Sequence, residues 1–81
     1  MKMNALTSAY LLINSQKVHR QDLMESLKQI KELIEINETF GVYNFVAKIE
    51  SYDAEKLRDI VVWKIRILDS VKSVLVLKEI N

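Results

Sequence analysis

The chain has no cysteine, no proline, one glycine and one histidine in 81 residues. Without cysteine there are no disulfides, no thiolate metal sites and no thiol chemistry, which fits a reducing, cytoplasmic setting. One glycine excludes the glycine-rich loops that cradle phosphates. A single histidine has no cysteine or second histidine beside it to complete a metal or nucleophile site. His19, close to Lys17 and Arg20, reads as a solvated residue. No sign of charge dominates either. Twelve lysines and arginines face eleven acidic residues, for a formal net charge of +1. No basic stripe is left to neutralise a phosphate backbone, so direct nucleic-acid binding is not expected. Near the start, the apolar run over residues 9–13 is too short to span a bilayer, and Thr7 and Ser8 interrupt any signal-peptide core. No membrane partner is expected.

Hydrophobic residues are abundant, at 49% of the composition. At this length the chain forms a single domain over residues 1–81 with a modest core. So much apolar material in so small a body implies a second buried surface, most simply another copy of the chain.

Six segments follow from the patterning. Residues 5–13, ALTSAYLLI, are rich in aliphatic and β-forming types and read as a strand. In residues 22–32, Leu23, Leu27 and Ile30 recur on one helical face. Residues 33–39 read as a short second strand, with an extension of the helix through ELIEI as the other reading. In residues 42–50, Tyr43, Phe45, Ala47 and Ile49 alternate with Asn44, Val46, Lys48 and Glu50, the period of a third strand. Asp53 is placed as the N-cap of a second helix, in which Leu57, Ile60, Val61, Ile65 and Leu68 share a face. A last strand is apolar throughout residues 74–77. This order predicts an α+β fold of the ferredoxin-like βαββαβ type. Its four-stranded antiparallel sheet carries both helices on one face. The first and last strands are apolar on both faces, so the open face of the sheet is expected to pack against a second copy. Gly41 falls where the second strand turns into the third, and a tight hairpin with positive φ suits glycine.

Little in the chain suggests catalysis. Glu32, Glu35 and Glu38 follow the period of an exposed face and form no acid/base pair. Lys64 lies on the apolar face of the second helix. Its stem can cover apolar surface while the amine reaches water, or the amine can face a ligand. Trp63 beside it reads as core or interface packing. The hairpin is the best site candidate. Gly41 allows close approach to the backbone, and Tyr43 and Asn44 supply hydrogen-bonding groups. A purely structural hairpin with Tyr43 in the core is the other reading.

Two stretches, IKELIEINETFGVYNFVAKIES and LRDIVVWKIRILDSVKSVLVL, carry a further signal. An aliphatic strand, a glycine, a variable residue, an aromatic, a short polar residue and another aliphatic strand are followed by a helix with a Lys-Ile pair and a last strand. Together these resemble the effector-binding (RAM) domain of the Lrp/AsnC family of transcription regulators, over roughly residues 5–80. The resemblance implies a form without the helix-turn-helix domain of full-length members. It implies homodimers packed sheet against sheet, assembled into rings of dimers. It also implies a small effector, typically an amino acid, in clefts between dimers. The ligand-binding positions it implies are Gly41, Val42, Tyr43 and Asn44 on the hairpin and Ser73 and Val74 on the last strand. Asn44 stands where aspartate is common in the family, and Val74 and Val76 stand where threonine is common. The expected function is therefore a non-enzymatic regulatory module with no cofactor and no metal. It would act through a small molecule and through co-assembly with full-length regulators. The alternatives are a structural oligomerisation module without ligand and, on the fold alone, a small enzyme.

Overall fold

The computed structural model describes residues 6–16 and 20–78, so the expectations for Ala5, Lys17 and His19 lie outside the described residues. The elements are β1 (Thr7–Ser15), α1 (Arg20–Lys28), β2 (Leu33–Glu38), β3 (Phe45–Ser51), α2 (Ala54–Ile60) and β4 (Val71–Lys78). A π-helical turn, Val61–Ile65, continues α2. The sheet order is β2-β3-β1-β4 and every pairing is antiparallel. This is the expected βαββαβ plan.

The core sits between the helices and one face of the sheet. Ala9, Leu11 and Ile13 of β1 pair with Ile49, Ala47 and Phe45 of β3, and all six are buried. Leu23 and Leu27 of α1 pack onto them, as do Leu57 and Ile60 of α2, Val61 and Ile65 of the π turn, and Val74 of β4. Each large aliphatic side chain buried in this way contributes about 1.5–3 kcal/mol relative to exposure. Asp53 caps α2 as expected: its backbone is extended and its carboxylate accepts from the Glu55 N–H at 2.9 Å.

Helix α1 is shorter than its periodicity suggested. It closes at Lys28 in tight turns, with Ile30 N–H donating to Leu27 O at 3.1 Å and Leu33 N–H to Ile30 O at 3.1 Å. These turns bring Leu33 into register with Ile49. They also turn Glu32 inward, so the expectation that it belongs to an exposed face is corrected: Glu32 is buried, while Glu35 and Glu38 are exposed.

The open face of the sheet is apolar at its centre. Leu12 is paired with Val46 on one side and Leu75 on the other; Tyr10 is paired with Lys48 and Leu77. Leu75 and Leu77 are nearly half exposed. The Lys48 ammonium stands 5.3 Å from the centre of the Tyr10 ring.

Candidate functional site

The β2–β3 connection, residues 39–44, is longer than a two-residue turn. Its base is closed twice: Thr39 N–H donates to Asn44 O at 2.8 Å, and Thr39 Oγ1 donates to Tyr43 O at 2.7 Å. Gly41 has φ +111°, so the expected positive φ is present. A Cβ added there would meet nothing within 4 Å. Glycine is needed for backbone conformation and not for space.

Asn44 anchors the loop to the sheet. Its N–H donates to Ile13 O at 2.8 Å, and its Oδ1 accepts from Ser15 N–H at 2.7 Å and Ser15 Oγ at 3.2 Å. Both residues are buried, Asn44 to 7% and Ser15 to 5% exposure. The side chain thus stands in for a strand partner just where β1 ends, and its amide oxygen is fully engaged. The alternation read from sequence is corrected here. Strand β3 begins at Phe45, and Tyr43 is half-buried in the loop outside the core.

The last-strand positions lie one strand away, at the same end of the sheet. Ser73 pairs with Asn14 and Val74 with Ile13. Their side chains lie on opposite faces: Ser73 is exposed on the open face, and Val74 belongs to the core under the helices. Asn44, bonded to Ile13 and Ser15, and Ser73, paired with Asn14, thus both flank the end of β1, while the Val74 side chain lies in the core.

Phe40, missed at the sequence level, shares the loop tip with the expected Val42. Phe40 is fully exposed, and Val42 is 74% exposed. The available signal was an aromatic and a valine flanking the glycine of a turn that has no core to receive them. Trp63 is 68% exposed, so of its two packing readings the core one is corrected.

Electrostatics tie the helices to the sheet elsewhere. Lys64 Nζ reaches Glu32 Oε1 at 3.4 Å, so the amine meets a buried carboxylate. Burial pushes the Glu32 carboxyl upward, but a hydrogen bond from its own backbone N–H, the Lys64 contact and the charges of Lys64 and Lys56 outweigh this and hold it below the usual range. Arg20 pairs with Glu38 at 3.8 Å near the surface, a contact of little energetic weight. Among the described residues no three His, Asp or Glu side chains gather as a metal site, and no helix is long and apolar enough to cross a membrane.

No family model and no curated protein matches the sequence. Solved structures do match. The chain superposes on FFRP-DM1 with TM-score 0.87 at 22% identity, covering 91% of this chain and 99% of that one. It superposes on Escherichia coli AsnC with TM-score 0.86 at 18% identity, over 93% of this chain. The Neisseria meningitidis transcriptional regulator NMB0573, solved as a complex with L-Met, matches with TM-score 0.85 at 13% identity, over 93% of this chain. The chain spans about half the length of the latter two, 51% and 50%. The part it covers is their C-terminal one, so the chain has the fold of the RAM domain of Lrp/AsnC-type regulators.

Proposed function

We propose that the chain is a cytoplasmic, non-catalytic regulatory module. It dimerises through the open face of its sheet and binds a small effector of the amino-acid class where the 39–44 loops of neighbouring dimers meet. The observation that carries this reading is the loop itself. An apolar tip, Phe40 and Val42, projects from a rigid base clamped by Asn44, with Tyr43 and Ser73 at the same end of the sheet. A tip so exposed in one chain is suited to burial against another. The complex of NMB0573 with L-Met supports the ligand class. Effector binding at a shared interface then favours one assembly over another by mass action, and co-assembly with DNA-binding relatives would carry the signal to DNA.

The test is a thermal-shift screen of the twenty amino acids read alongside size-exclusion light scattering. A ligand at one hundred times its Kd stabilises the bound state by about 2.7 kcal/mol. A selective rise in Tm with a change in mass supports the reading. No shift with any amino acid on a well-formed oligomer removes the effector from it.

A second reading, a structural oligomerisation module without ligand, has its own observation. The Asn44 amide oxygen is committed to Ser15 and the Val74 side chain to the core, which leaves few polar groups free at the loop. Mixed oligomers formed with a DNA-binding relative and insensitive to amino acids would favour it.

A further inference from the structure

The helices do not cover the whole sheet. Helix α2 lies over β1 and β3, and along the edge strand β4 only Val74 is buried. Val76 pairs with the fully buried Leu11, yet it remains 37% exposed. Between it and the α2–π segment runs a groove of about 490 Å³, within the range of small-molecule sites. It lies toward the end of β4 that pairs with residues 9–11, away from Ser73 and the 39–44 loop.

The chemistry of the groove is uneven. Its walls are aliphatic, chiefly Val61, Val62 and Val76. Its rim carries three cations, Arg58, Arg66 and Lys78, against one carboxylate, Glu55. Arg58 and Lys78 are in no ion pair among the described residues. Arg66 is oriented by a 3.3 Å hydrogen bond from Nη2 to Val74 O, and a guanidinium keeps further donors beyond that one. The π turn shapes this wall. Arg66 N–H donates five residues back, to Val61 O at 2.8 Å, and the wider turn carries Val61, Val62 and Arg66 along the groove. Such π turns are rare and recur at functional sites.

We infer that this groove binds a small aliphatic carboxylate. The chain lies on Val61, Val62 and Val76, and the carboxylate is held by Arg58 and Lys78 with Arg66 behind them. Three cations against one carboxylate favour a plain anion over an amine, and over a zwitterion whose ammonium would add to the excess of positive charge. This site is separate from the loop site proposed above and stands or falls independently of it.

Octanoate is the probe, titrated below its micellar concentration into the intact chain and followed by ¹H–¹³C NMR of the valine and leucine methyls. Saturable shifts at Val61, Val62 and Val76, with Leu12 and Leu75 unmoved, are expected. The double variant Arg58→Gln, Lys78→Gln changes two exposed side chains and should weaken octanoate roughly tenfold or more. Added salt should weaken it as well. Gly41→Ala should leave octanoate affinity unchanged. Equal affinity for octylamine or octanol would show apolar partition alone and overturn the proposal, and leucine binding more tightly than octanoate would overturn the ligand class. Groove methyls that shift on simple dilution, without octanoate, would show a second copy seated there and overturn the site.

Discussion

Replacing Asn44 by alanine tests whether the loop is held by a clamp or merely closed by a glycine. The substitution removes an acceptor that takes two donors from Ser15, at 2.7 and 3.2 Å, in a pair almost wholly out of solvent. The Ser15 hydroxyl can rotate to another partner, but its backbone N–H cannot. A buried donor left unpaired costs about 1–3 kcal/mol, and losing the packed amide adds a little more. We expect a loss of about 2–3 kcal/mol in urea unfolding at fixed protein concentration, with the m-value unchanged. A domain of this length holds only about 4–12 kcal/mol in total, so the change is large. Tm should fall by about 10–20 °C. Asn44→Asp is the informative companion, because a carboxylate keeps the acceptor and its charge is met by the same two donors. It should cost less than alanine at neutral pH. A loss below about 0.5 kcal/mol for alanine would refute the clamp. So would an aspartate variant less stable than the alanine one, since the Ser15 donors would then not be compensating the buried charge.

Gly41→Ala should cost about 1–2 kcal/mol from backbone strain alone, because φ is +111° and nothing lies within 4 Å of the new Cβ; urea unfolding with no loss would mean that the loop relaxes to another conformation. Glu32 is held below the usual carboxylate range, so its contribution is fully present above its unfolded pKa and is lost as pH falls through the lower folded one. Glu32→Gln should therefore flatten the acid side of the stability–pH profile, and an unchanged slope would contradict the Lys64 pairing. Leu12→Glu places a carboxylate between Val46 and Leu75 at the centre of the open face. Light scattering should report a shift from dimer to monomer with unchanged circular dichroism, and an unchanged mass would place the interface elsewhere.

The order of elements, the alternation of Phe45, Ala47 and Ile49 in β3 and the cap at Asp53 were legible because each rests on a local rule. Buried positions alternate along a strand, recur every three or four residues along a helix, and an acceptor precedes the helix it caps. The failures are places where chain direction changes without a marker residue. The Tyr43–Phe45–Ala47 alternation is continuous in sequence, but the chain becomes a strand only at Phe45, so parity extrapolated backward exposed Asn44 and buried Tyr43. The apolar spacing through Ile30 matches a helix, yet the backbone has already left it by tight turns, and Glu32 swings inward to meet Lys64 from another element. No local pattern announces the π turn either. Val61–Ile65 reads as ordinary helix until the Arg66 N–H reaches back five residues.

The exposed apolar side chains are informative for the opposite reason. In a chain this small, folding satisfies one face of the sheet and leaves Leu12, Leu75, Leu77, Phe40 and Val42 without a place in its own core. They fall into two groups, one on the open sheet face and one at the loop tip, so a single flat contact does not serve both. Sheet-to-sheet packing removes the first group from water, and the second then needs a further neighbour. An assembly that stops at the dimer should still expose Phe40 and Val42. Mass measurements on Phe40→Ser and on Leu12→Glu should therefore fail at different steps: the first should stop at the dimer, and the second should not reach it. If both variants gave the same species, one surface would be serving both groups and the two-interface scheme would be wrong.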